Sequence, residues 1–204
     1  MQGFILKVSK IKDEDCLVDV LCEDALVRAY RFYGARHPNI TQGYKIDFEL
    51  VSNPNFLPRL SNVMHLGYSW LLVREKLLFW QQFIRLFSAH LKDAQELDKF
   101  YYELLNSAAS RFARQNPRRI IVECYAKILE FEGRLHTEPF CFLCDEEIGG
   151  EIALTRGFLP AHTHCLHQSG FDRAEILEFL EGKNSINLEN ETIDKLYSIV
   201  LQGF

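Results

Sequence analysis

The chain has 204 residues, a formal net charge of −5 and 48% hydrophobic residues. That apolar share can bury a core, which excludes global disorder, and no run of about 18 apolar residues is present to cross a membrane. The opening MQGFILKVSK lacks a long apolar stretch and a small-residue cleavage site, so no secretory leader is expected.

The first 68 residues read as strands. Short apolar runs at 2–8, 16–21 and 26–33 are separated by polar breaks at 12–15 and 23–24. A polar loop covers 34–43, and residues 44–50 then alternate strictly, the period-two signature of a half-buried strand. Residues 52–55 turn the chain, and 56–60 and 62–66 supply one or two further strands. About five strands with short connections suit a small OB-fold-like antiparallel β-barrel, with a small sandwich as the other arrangement.

Near Ser69 the period changes. Trp70, Leu71, Val73, Leu77, Trp80, Phe83, Ile84, Phe87 and Leu91 recur at three and four, predicting one helix with an aromatic inner stripe that reads as core. Asp93 is the candidate N-cap of a second helix, carrying Leu97, Tyr101, Leu104, Leu105, Ala108 and Phe112 and stopping before Pro117. Asn116 and Pro117 form the cap and first position of a third helix, which Gly133 ends. Asp172-x-x-Glu175 has the form of a capping box for a helix ending at Gly182, and 192–201 reads as a last amphipathic helix. The fold class is therefore α+β: a barrel over 1–68, then a helical domain over 69–204 that carries a metal loop at 141–167. No internal repeat or low-complexity segment interrupts it.

That loop is the strongest chemical signal. Cys141-x-x-Cys144 is followed, after seventeen residues, by His162-x-x-Cys165. Two thiolates on one turn, answered by a His/Cys pair, is the spacing of a tetrahedral zinc site. His162 repeats the x-x spacing and is preferred as third ligand, with His164 and His167 as alternatives. Four protein ligands leave no open position for water, so one structural zinc ion is expected. His136-Thr-Glu138, just before Pro139-Phe-Cys141, resembles a zinc-deaminase signature, but the two halves lie too close in sequence to converge on one metal. Cys16, Cys22 and Cys124 stand singly among apolar residues and read as core thiols. Such cysteine usage fits a reducing cytoplasm.

The charge is uneven. Residues 141–204 carry four Lys/Arg against eleven Asp/Glu, whereas 25–46 and 104–122 hold no acid at all. The order of parts resembles the bacterial RecO family of recombination mediators. The likeness rests on the opening GFILKVSKIKDED, the YRFYGARHP segment, the Trp- and Phe-rich helix after the barrel, and the Cys-x-x-Cys loop closed by x-x-Cys at a helix end. The FYGARH and FWQQF stretches and the short chain look most like the epsilonproteobacterial branch. Where family members often carry Cys-x-x-Cys in the second half, this chain has His162-x-x-Cys165, and it is acidic overall where many members are basic.

The resemblance implies binding of single- and double-stranded DNA, annealing of complementary strands, and work with RecR to load RecA onto strands coated by single-strand-binding protein. It implies no membrane and no small-molecule substrate, and a cytoplasmic, nucleoid-associated protein. Such work needs cations for phosphates and exposed rings for bases. Arg28, Arg31, Arg36 and Lys45 are the barrel candidates, interleaved with Tyr30, Phe32 and Tyr33. Arg111, Arg114, Arg118 and Arg119 flank a helix turn, the last two in a first turn whose dipole disfavours cations. The two sets are expected to form one groove. The competing expectation is a zinc-stabilised interaction module without DNA binding of its own. No Ser/His/Asp order, phosphate-cradling Gly loop or carboxylate pair in helical register is present, so an enzyme is not expected.

Overall fold

The computed structural model describes residues 1–92, 94 and 97–204, apart from the Asn53 side chain. It divides into two compact units, Met1–Arg114 and Gln115–Phe204. The strand-to-helix change near 69 is therefore not the boundary between these units, and the first two long helices belong with the barrel.

Five strands make the barrel: β1 (Gln2–Lys10), β2 (Cys16–Leu21), β3 (Leu26–Arg31), β4 (Lys45–Asn53) and β5 (Phe56–His65). They close in the order β1-β2-β3-β5-β4. All pairings are antiparallel except β3 with β5, which run parallel at Tyr30 opposite Arg59. Closure removes the open edges that would otherwise template pairing with another chain. The interior is apolar: Ile5, Val18, Val20, Ala29, Ile46, Phe48 and Leu60 are buried. The segments expected at 56–60 and 62–66 form a single strand, in which Asn62 has a φ of 48°.

Ser69–Leu72 is a short 3-10 turn, and α1 spans Arg74–His90. The aromatic stripe is core, with Trp80, Phe83 and Phe87 fully buried. Trp80 Nε1 donates to the Gly43 carbonyl at 2.7 Å. Gly43 has a φ of +89°, and a Cβ there would sit 2.8 Å from the Trp80 ring, so only glycine fits. Trp70 Nε1 donates to the Ala109 carbonyl at 2.7 Å, which ties the turn to α2 (Phe100–Arg111). The expected cap at Asp93 lies outside the described residues; at the start of α2, Asp98 Oδ1 accepts from the Phe100 N–H at 2.8 Å.

In the second unit, α3 (Pro117–Phe131) opens as its sequence predicts, with Asn116 Oδ1 accepting from Arg118 N at 2.9 Å and Pro117 in the first turn. Gly133 follows in the left-handed region, φ 67°. A two-stranded hairpin, β6 (Ile152–Thr155) and β7 (Leu159–His162), leads into the single helical turn α4 (Thr163–Leu166). Then come α5 (Arg173–Gly182), capped by Asp172 Oδ1 on Glu175 N, and α6 (Asn190–Val200), which begins two residues before its expected start. Tyr125 joins these parts: its hydroxyl donates to the Gly203 carbonyl and accepts from Gly157 N–H, at 2.7 and 2.9 Å.

Candidate metal centre and nucleic-acid face

The loop after α3 makes a knuckle. The N–H of Asp145 donates to the Cys141 carbonyl, and Asp145 takes a positive φ of 59°, reversing the chain just past Cys144. Cys141 N–H bonds the Glu146 carbonyl, and Phe142 N–H bonds the Pro160 carbonyl, which pins the knuckle to β7. β7 ends at His162, and α4 then carries Cys165 back toward the same point.

The result is a cluster of Cys141, Cys144, His162 and Cys165, whose ligand atoms all lie within 4.8 Å of one another and which could hold a metal ion. His162 Nδ1 is 3.4 Å from Cys144 Sγ and 3.9 Å from Cys165 Sγ. Bonds of about 2.0–2.3 Å from a tetrahedral zinc put its ligands roughly 3.5–3.8 Å apart, so the residues present fit the ion. The other ring nitrogen, Nε2, is 3.2 Å from the Glu147 carbonyl. A proton on Nε2 leaves Nδ1 as the free electron pair, which is how an outer hydrogen bond selects the ligating nitrogen. His164 stacks on the His162 ring, centroids 4.8 Å apart, and stands outside the cluster. His167, in the left-handed region at φ 54°, caps α4 and is outside it too. So is His136.

The thiols differ. Burial pushes the Cys141 thiol up, but N–H groups at His162, Leu143 and Cys144, with the Cys144 side chain, outweigh it and bring it down to about 6. Burial and the neighbouring Cys141 and Cys144 thiols push Cys165 up to about 11. One thiolate is thus favoured by the fold itself, and a cation would be needed to hold three together.

On the barrel, the candidate cations mostly have partners. Arg28 grips Asp19 through two hydrogen bonds of 2.7 and 3.1 Å. Arg36 is ion-paired with Glu14. Lys45 Nζ donates to Asn106 Oδ1 at 2.9 Å and lies over the Phe4 and Tyr102 rings. Arg31 Nη1 donates to the Leu60 carbonyl at 2.8 Å, while its Nε is buried without a hydrogen-bond partner among the described residues. Of the second set, Arg111 and Arg114 end the first unit and Arg118 and Arg119 open the second. Arg118 pairs with Asp194 at 2.6 Å. Arg119 donates to the carbonyls of Ser185 and Leu188 and to Asn190 Oδ1, so it fastens the loop between α5 and α6.

The exposed rings gather at one end of the barrel. Phe32, Tyr33 and Phe56 are 51%, 71% and 75% exposed. Tyr30 meets Phe32 edge to face, centroids 4.7 Å apart. Phe32 and Arg59 line two adjoining hollows: one of about 630 Å³ with Tyr30, Val51 and Phe56, and one of about 490 Å³ with Arg31, Tyr33 and His37. Phe56 and Arg59 were not among the sequence candidates. Both lie on β5 just after the turn at 54–55, and the parallel pairing of β3 with β5 brings them beside Phe32.

Residues 1–71 match the family model described as RecO N terminal. The match covers the whole barrel and supports a RecO-type N-terminal domain, which suggests a role in DNA repair. A search of curated proteins returns no match. Among the described residues no helix is long and apolar enough to cross a membrane.

Proposed function

We propose that this chain is a non-enzymatic DNA-repair and recombination mediator of the RecO type, like those of the epsilonproteobacterial branch. It binds single- and double-stranded DNA, anneals complementary strands and, with RecR, helps load RecA onto strands coated by single-strand-binding protein. It would act in the cytoplasm, at the nucleoid. The observation that carries the reading is the barrel face, where three exposed rings stand beside Arg59 and Arg31 in the domain that matches the family model. Rings stack on bases of any identity, at about 1–3 kcal/mol per base, while guanidinium groups take phosphates. Nothing in that arrangement reads sequence, which is what annealing requires.

The metal is zinc in this reading, held by Cys141, Cys144 and Cys165 through sulfur and by His162 through Nδ1. Bound there it supplies a cross-link and no open coordination position, hence a structural role. The chain's own residues do the rest: Glu147 orients the imidazole, and the Asp145 turn sets the two thiols of the knuckle.

A second reading, a zinc-stabilised docking module without DNA binding, is favoured by two observations. Arg28, Arg36, Arg118 and Arg119 are all engaged within the chain. Phe140, Phe142 and Leu143 are exposed around the knuckle. Fluorescence anisotropy with a single-stranded oligonucleotide distinguishes the two: salt-dependent binding supports the mediator, and no binding at low salt supports the docking module.

A further inference from the structure

A second surface of the first unit carries charge without rings. Lys7 on β1 stands opposite Asp19 on β2, and Asp19 stands opposite Arg28 on β3, so the three form a row across the sheet. α1 faces this row. Arg85, Ser88 and Lys92 line a groove of about 490 Å³ together with Lys7, Asp19 and Arg28. Arg85 and Ser88, three apart in α1, lie on one side of the helix, and Lys92 follows two residues past its end.

The charge balance of the groove is decided by who is already paired. Among the described residues Asp19 is the one acid in the lining, and its two oxygens are taken by Arg28. Lys7, Arg85 and Lys92 are exposed and make no hydrogen bond or ion pair among the described residues. Three cations that have no partner among the described residues therefore surround one concave surface. Arg85 lies in α1, Lys92 two residues past its end and Lys7 on β1, so three cations are offered to the phosphates of one backbone. Among the described residues no aromatic side chain lines the groove. It has nothing to stack on an unpaired base, and so gains nothing from single strands over a duplex whose bases are hidden.

We propose that this groove is a track for the phosphate backbone of duplex DNA, distinct from the ringed end of the barrel. The two surfaces share β3: Arg28 serves the groove, Tyr30 serves the rings, and Phe32 follows one residue past the strand's end. The inference rests on the DNA-binding reading above and adds to it a division of labour, with unpaired bases at one end and paired backbone at the other.

The test uses the full chain and a triple variant, Lys7→Gln, Arg85→Gln and Lys92→Gln, whose thermal unfolding is checked first. Affinity for a 30-base-pair duplex and for a thymidine oligonucleotide of equal length is measured over a salt series. The expected result is a loss of about tenfold or more in duplex affinity at low salt. The log–log salt slope should shrink by about two to three, at about 0.9 per phosphate. Binding of the thymidine oligonucleotide should change by less than about threefold, because stacking on rings does not pass through these cations. An unchanged duplex slope overturns the groove, as does an equal loss for both nucleic acids. Wild-type protein that binds the single strand but no duplex also overturns it and leaves the DNA-binding reading standing. Wild-type protein that binds neither overturns both.

Discussion

The two units of this chain are held together differently. The first has a core of its own: a closed barrel filled by Ile5, Val18, Val20 and Phe48, and an aromatic cluster around Trp80 that is sealed by one hydrogen bond to Gly43. Because that core is complete, the barrel can leave Phe32, Tyr33 and Phe56 in solvent. In the second unit, α3 and α6 pack in the same way and the hairpin adds Ile152, Leu154 and Phe158 to the core, but the knuckle at 142–147 leaves its side chains in solvent. It is organised by four ligand atoms that meet at one point. Apolar burial thus frees a surface in one unit, and coordination replaces burial in part of the other.

The largest way to break that contrast is to remove a ligand. Cys141→Ser should abolish metal content, measured by atomic absorption. It should also lower the unfolding temperature of the second unit by well over 5 °C, with the first unit's transition unmoved; a shift of about 4–8 °C corresponds to only about 1 kcal/mol in a domain of this size. His164→Ala, outside the cluster, should leave metal content unchanged. Next in size, Phe32→Ala with Phe56→Ala should weaken single-strand binding by roughly tenfold to a hundredfold. Those rings are exposed, so thermal stability should move little; a large drop in stability would mean that they belong to the core after all.

A smaller effect is expected at Arg119. Its acceptors are the Ser185 and Leu188 carbonyls in the loop between α5 and α6 and Asn190 Oδ1 at the start of α6. Arg119→Ala should destabilise the second unit by about 1–3 kcal/mol in urea unfolding, leaving those acceptors to water. Its DNA binding should be no weaker than that of an Arg118→Ala protein, since neither guanidinium is free of protein partners.

The smallest effect concerns pH. Burial holds the His65 imidazole below its ordinary 6.5, and burial and the Arg31 charge do the same to His37. His65 stacks on Tyr44, centroids 4.1 Å apart. A depressed folded pKa means that the unfolded chain takes up the proton first, so this stability is present above pH 6.5 and is lost as pH falls through the lower folded value. Urea midpoints of the first unit should therefore decline between pH 7 and pH 5, and His65→Phe should flatten part of that decline.

Much of this was legible in the sequence because it is local. Asn116-Pro117 and Asp172-x-x-Glu175 cap helices through atoms two or three residues away. The alternation at 44–50 follows from the pleat alone, and Cys-x-x-Cys announces its own turn. What was not legible depends on register between distant strands. That Asp19 stands between Lys7 and Arg28 requires both β1–β2 and β2–β3 pairings. That Phe56 and Arg59 join Phe32 requires the parallel β3–β5 contact. The x-x spacing favoured His162 among three histidines, but the end of β7 at His162 and the Glu147 carbonyl at its Nε2 leave no mark in sequence. The arginines at 118 and 119 looked available to an anion because their acceptors, at 185–194, lie some seventy residues on.

The most direct test of the central claim is annealing of two complementary oligonucleotides by the purified chain across a salt series, with metal assayed on the same sample. The account predicts rapid annealing that slows steeply as salt rises, in protein carrying about one equivalent of zinc. Zinc-loaded, folded protein that neither binds nor anneals the strands at low salt would contradict it.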